Sequence, residues 1–170
     1  MNDLALYNAT VPVFRHYLAR TKQLLVTLPE NEQLKLDQRL VDTAFTAAEH
    51  IEVSVGFVYR TVRPLMGQAM PEFEDETSSV ATLVDKVQEA SNWLQTVTPR
   101  AFGGASRQIV NHTAGSAKLR HDAITYVTLF AMPNYFFHVS QGYAILRANG
   151  VDIGKADYDG LHEYASGFHF

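Results

Sequence analysis

Residues 127–149 read VTLFAMPNYFFHVSQGYAILRAN. In this stretch Val127, Ala131, Asn134, His138, Gln141 and Ile145 recur at alternating steps of four and three residues. That period places all six side chains on one face of an α-helix. The ends of the stripe are apolar, so the face belongs to a core. Its middle is Asn134, His138 and Gln141. Buried polar groups cost free energy unless they are satisfied. These three therefore need a partner: one another, water, a ligand or a metal ion. The helix is expected from Asp122 to Asn149, with Gly150 as its stop and a kink or short interruption at Pro133.

One buried stripe requires other helices to cover it. A second helix is expected over Asp42 to Leu65, where Ala48, Ile51, Val55, Val58, Val62 and Leu65 form a bundle seam. A first helix is expected from Tyr7 to Leu28, built on Tyr7, Val11, Phe14, Leu18 and Leu25 and ended by Pro29. Pro12 is read as lying near its start, where a missing N–H costs least. The polar stretch Glu30 to Arg39 reads as a connection. A third helix is expected over Ser79 to Val97, with Val80, Leu83, Val87, Leu94 and Val97 buried and Pro99 as its stop. The acidic run Glu72, Glu74, Asp75 and Glu76 precedes it, and Thr77 or Ser78 is the expected N-cap.

Residues 100–120 break the helical pattern. Gln108–Asn111 and Ala117–Leu119 are expected to pair as a short hairpin around Thr113–Ser116. The tail after Gly150 is expected to pack as irregular chain over the bundle. The fold is thus mainly all-α: a four-helix bundle in a single domain over 1–170, with a β-hairpin before the fourth helix.

Composition excludes several classes. The chain has 170 residues, no cysteine and a net charge of −4. Without cysteine there is no disulfide, no thiolate metal site and no thiol nucleophile. No cluster of Lys and Arg is present to bind phosphates, so nucleic acid is not an expected partner. No apolar run approaches the roughly 20 residues of a membrane span, and the stretch MNDLALYNATVPVF is not expected to act as a secretory signal. A cytoplasmic location is expected.

The pair Asn134 and His138 stands one helical turn apart, the arrangement by which one helix offers two donors to one ion. A third donor must come from a facing helix, and His50 is the best candidate. Glu49 and Glu52 bracket His50 and could orient it. His112 and His121 flank the hairpin and read as surface residues at a spacing that fits no compact metal motif. His16, His162 and His169 read as solvated. Arg147 is expected to pair with Asp152 or Asp157. Tyr135, Phe136, Phe137 and Tyr143 supply more apolar surface than one helix face needs, so a homodimer is expected.

The segment MPNYFFHVSQGYAILRANGVDIGKADYDG, with LYNATVPVF, VDTAF and PEFEDE before it, resembles a bacterial family of unknown function within the DinB/YfiT-like superfamily. The resemblance implies a bundle with a divalent metal held by three histidines. One comes from the second helix and two from a His-x-x-x-His pair on the fourth. Carried onto this chain, the positions fall on His50, Asn134 and His138, with Gln141 nearby in the pocket. Asn134 departs from the pattern. Two readings follow. In one, the chain is a metal-dependent enzyme with a degenerate site for nickel, zinc, iron or manganese. In the other it is a non-catalytic bundle that has lost its metal and binds a small molecule or protein partner.

Overall fold

The computed structural model describes residues 1–70, 79–165 and 168. The expected acidic run and the caps Thr77 and Ser78 lie outside them, as does His169. Helix α1 spans Asp3–Thr27, α2 Ala47–Leu65 and α3 Val80–Thr96. Strands β1 (Ile109–Ala114) and β2 (Ala117–Asp122) follow. The last long helix has three parts: α4 (Ala123–Thr125), a π-helical turn (Tyr126–Ala131) and α5 (Met132–Ala148). A short helix, α6 (Lys155–Asp159), ends the fold.

Contacts between helices fix their directions. Lys22 on α1 bonds Gln88 on α3, whereas Tyr7 reaches the carbonyl of Val97, so α1 and α3 run antiparallel. Lys86 pairs with Glu52 and Trp93 stacks near Tyr59, so α3 runs parallel to α2. Gly142 lies against Ala47, while Tyr126 bonds the carbonyl of Arg60, so the last helix runs antiparallel to α2. The bundle is therefore up, down, down, up. Phe14, Phe102, Tyr126 and Tyr135 are its largest fully buried side chains; Phe14 meets Tyr135 between α1 and the last helix, and Phe102 packs on Tyr7 of α1.

Several helix ends differ from the sequence expectation for local reasons. α1 starts a turn before Tyr7, because Asn2 caps the N–H of Ala5. The Asp3 carboxylate also accepts from the N–H groups of Gly104 and Ser106, which ties α1 to the loop before the hairpin. Pro12 is consequently well inside the helix. α2 starts at Ala47, five residues after Asp42, where Thr46 and Glu49 form a reciprocal capping box. The polar connection after α1 is a 3-10 helix over Glu30–Asp37 with Leu36 buried. Ser79 caps α3 through the N–H of Thr82.

The break expected at Pro133 is the π-helical turn directly before it. Proline has no N–H to offer the carbonyl of Leu129, and a widened turn absorbs the mismatch without bending the chain out of the bundle. The hairpin is longer than expected. Its register runs from Ile109↔Asp122 to Ala114↔Ala117, and its turn tightens onto Gly115 and Ser116. Gly115 adopts φ 56°, the left-handed conformation such a turn requires. The tail, expected to be irregular, contains α6, which packs on α1. There His16 bonds the carbonyl of Asp159, and Arg20 donates to the carbonyl of Asp157.

Candidate functional site

α2 and α5 lie closest where α5 carries glycine. A side-chain carbon on Gly142 would stand 3.2 Å from Ile51 and 3.3 Å from the carbonyl oxygen of Ala47. One turn before Gly142 is His138, and beside Ile51 is His50. The close approach brings these two histidines together: their Nδ1 atoms are 2.9 Å apart. One nitrogen donates and the other accepts. His50 is 5% exposed and His138 is 8% exposed.

Three phenyl rings surround the pair. Phe57 stacks on His138 from the core side. Phe45 packs against both imidazoles, and so does Phe137. Phe45 and Phe137 are 49% and 53% exposed, so they form the outer rim while the nitrogens stay inside. Phe45 holds its place as half of a hydrophobic staple. It precedes the Thr46 cap and packs on the fourth residue of the helix, which is His50.

This setting makes both rings weak bases. Burial pushes His138 down to about 4, helped by His50 and by the positive charge of Arg60. Burial also lowers His50, against a smaller opposing effect of Glu49. At neutral pH both imidazoles are uncharged and carry lone pairs.

The other expected site residues behave differently. Asn134 is half-buried, and its Nδ2 donates to the carbonyl of Phe130 at 2.7 Å, which ties one amide N–H to its own helix. Gln141 is half-buried on the same helix. Among the described residues neither is hydrogen-bonded to an imidazole of the pair. Glu49 is occupied in the capping box, and Glu52 accepts from Lys86, so neither orients His50. Arg147 bonds the hydroxyl of Tyr143 instead of an acidic tail residue. His162 bonds Asp159 at 2.5 Å. Of the aromatic cluster near His138, Tyr135 is fully buried, Phe136 packs on Tyr17 and Tyr143 on Tyr158, which leaves Phe137 facing outward.

A divalent ion fits this donor set in part. Two nitrogen ligands about 2.1 Å from one ion stand about 3.0 Å apart at a right angle and about 3.4 Å apart at a tetrahedral angle. The observed 2.9 Å separation needs to widen by at most a few tenths of an ångström. The donors are neutral imidazoles, as a metal requires. Asn134 is not hydrogen-bonded to either imidazole, its Nδ2 being held by the carbonyl of Phe130. No group of three His, Asp or Glu suited to a metal occurs among the described residues.

The chain is a helical bundle with an appended hairpin and a histidine pair between its second and last helices, and its fold is DinB-like. Residues 6–159 match the family described as Domain of unknown function (DUF1993), and the chain belongs to that family. It is similar to the crystal structure of a DinB family member from Shewanella denitrificans, with a TM-score of 0.79 and 23% sequence identity. The similarity covers 96% of this chain and 97% of that one. No curated protein matches. Among the described residues no helix is long and apolar enough to cross a membrane.

Proposed function

We propose that the His50–His138 pair is the functional centre of this protein and that it holds a divalent transition-metal ion through its two Nδ1 atoms. The observation that carries this reading is the pair itself: two neutral, buried imidazoles, one from each of two antiparallel helices, with facing nitrogens 2.9 Å apart. Two protein ligands leave the remaining coordination positions to water and to an incoming molecule. Nickel, zinc, iron and manganese all accept imidazole, with the later metals favoured. A bound ion would supply Lewis acidity at the rim formed by Phe45 and Phe137. The protein's part is to keep both rings neutral, so that an ion displaces only the one proton shared between the two Nδ1 atoms, and to restrict water with three phenyl rings.

A second reading has its own support. Asn134 spends its amide N–H on Phe130. If the pair is only a buried hydrogen bond, the bundle is non-catalytic and the rim receives a small molecule or a protein. Metal content separates the two. Tag-free protein analysed by mass spectrometry beside His138→Ala is expected to carry one equivalent of metal more than the variant. Protein that binds no more metal than the variant after incubation with excess divalent ions would leave the second reading.

A further inference from the structure

The hairpin brings together two histidines that the centre described above does not use. By the register of the ladder, Val110, His112, Leu119 and His121 share one face, and it is the face turned to the bundle. His112 and His121 are diagonal neighbours on that face. His112 Nε2 lies 3.0 Å from His121 Nδ1. His112 is wedged against the π-helical turn, 4.2 Å from the ring of Phe130 and 4.9 Å from that of Tyr126. Both histidines are half-buried, where the sequence suggested surface residues.

We propose that His112 and His121 form a separate binding site for a late first-row divalent ion, of the class of Cu²⁺, Ni²⁺ and Zn²⁺. Two donor nitrogens already face each other at a separation close to that of two ligands on one ion. Their backbones are fixed by the strand ladder, and the His112 ring is fixed by Phe130 and Tyr126, so little order is lost on binding. Burial and the neighbouring His121 lower the basicity of His112, so the ring is neutral at neutral pH. Imidazole selects these ions over Mg²⁺ and Ca²⁺, which prefer oxygen ligands.

The two histidine pairs do not share an ion. Phe130, which His112 touches, lies eight residues before His138 on the same helix, a rise of about 12 Å. The sites can therefore be tested one at a time.

The test uses the His138→Ala chain, titrated with Cu²⁺ and with Zn²⁺ by calorimetry, beside His138→Ala/His121→Phe, which keeps a ring in the packing. The first chain is expected to bind one equivalent of ion. The second should bind it at least about tenfold more weakly, since even loss of an outer partner of a metal ligand costs that much. The Cu²⁺ resonance spectrum should show two nitrogen ligands in the first chain, and circular dichroism should show both chains folded. No binding by His138→Ala overturns the proposal. Binding unchanged by His121→Phe also overturns it, since it places the ion on other histidines.

Discussion

Gly142 and Ile51 stand so close that a methyl group on the glycine would meet the isoleucine side chain at 3.2 Å. The carbonyl oxygen of Ala47 lies behind at 3.3 Å and belongs to the rigid first turn of α2. This contact sets the spacing of α2 and α5 one turn from the His50–His138 pair. In Gly142→Ala, helix propensity gains about 1 kcal/mol. Overpacking against backbone costs about 1–3 kcal/mol. The expected outcome is a net loss of about 1 kcal/mol, measured by chemical denaturation, together with altered imidazole resonances for both histidines. A more stable variant with unchanged resonances would mean the helices separate freely there and do not set the pair.

The same pair makes stability depend on pH in a defined window. His138 is held down at about 4 and His50 is also lowered, whereas in the unfolded chain both titrate near 6.5. Above that value both states are neutral and the pair has no effect on the pH dependence. As pH falls from about 6.5 toward 4, the unfolded chain binds protons that the folded chain refuses, so stability drops. His112, lowered by burial, adds to the same window, whereas Asp3, Asp122 and Asp159, lowered by their hydrogen bonds, lose their contribution as pH falls through and below the ordinary carboxylate value, a separate window. Denaturation midpoints at pH 7.5, 6 and 5 should therefore fall steadily, and His138→Phe should flatten that slope. A wild-type midpoint constant from pH 7.5 to 5 would show that the rings are solvated.

Much of this was legible in the sequence. The stripe from Val127 to Ile145 named His138, because helical period survives in a single sequence, and His50, beside the seam of the second helix, was the candidate partner on the facing helix. What the period does not carry is the direction a side chain takes within its face. Asn134 lies on the stripe, yet its amide turns to a carbonyl four residues back, a local bond that competes with any shared partner. The phenyl collar was missed because Phe45 lies before its helix and Phe137 off the stripe. The Phe45-Thr46-x-x-Glu49 pattern did hold the staple signal. The His112–His121 pair depends on strand register, and each expected strand stopped three residues short of its observed end, which left His121 outside the hairpin and His112 in its turn.

Asn134→His tests whether the third position faces the pair. The substitution removes the bond to Phe130 and places an imidazole one turn before His138, as the family pattern implies. Zinc or nickel affinity measured by competition with a chelator is expected to rise by at least about tenfold over the unsubstituted chain, because a third nitrogen joins two that already face each other. An unchanged affinity would mean that residue 134 points away from the pair, and the two-ligand site would then be all that the helices provide.

Tyr135 offers a prediction that runs against the usual cost of core substitutions. Its ring is fully buried against Phe14 and Phe136, and its hydroxyl finds no hydrogen-bond partner among the described residues. Burial raises the phenol above its ordinary value, helped by Tyr158 and Tyr17, so it stays neutral. A buried hydroxyl without a partner costs about 1–3 kcal/mol of desolvation. Tyr135→Phe removes that cost and keeps the ring contacts. The expected result is a gain of about 1 kcal/mol, or a rise in Tm of roughly 2–4 °C for a chain of this size. A fall in Tm would show instead that the hydroxyl is paired in solution, most simply with a buried water bridging toward Tyr17 or Tyr158.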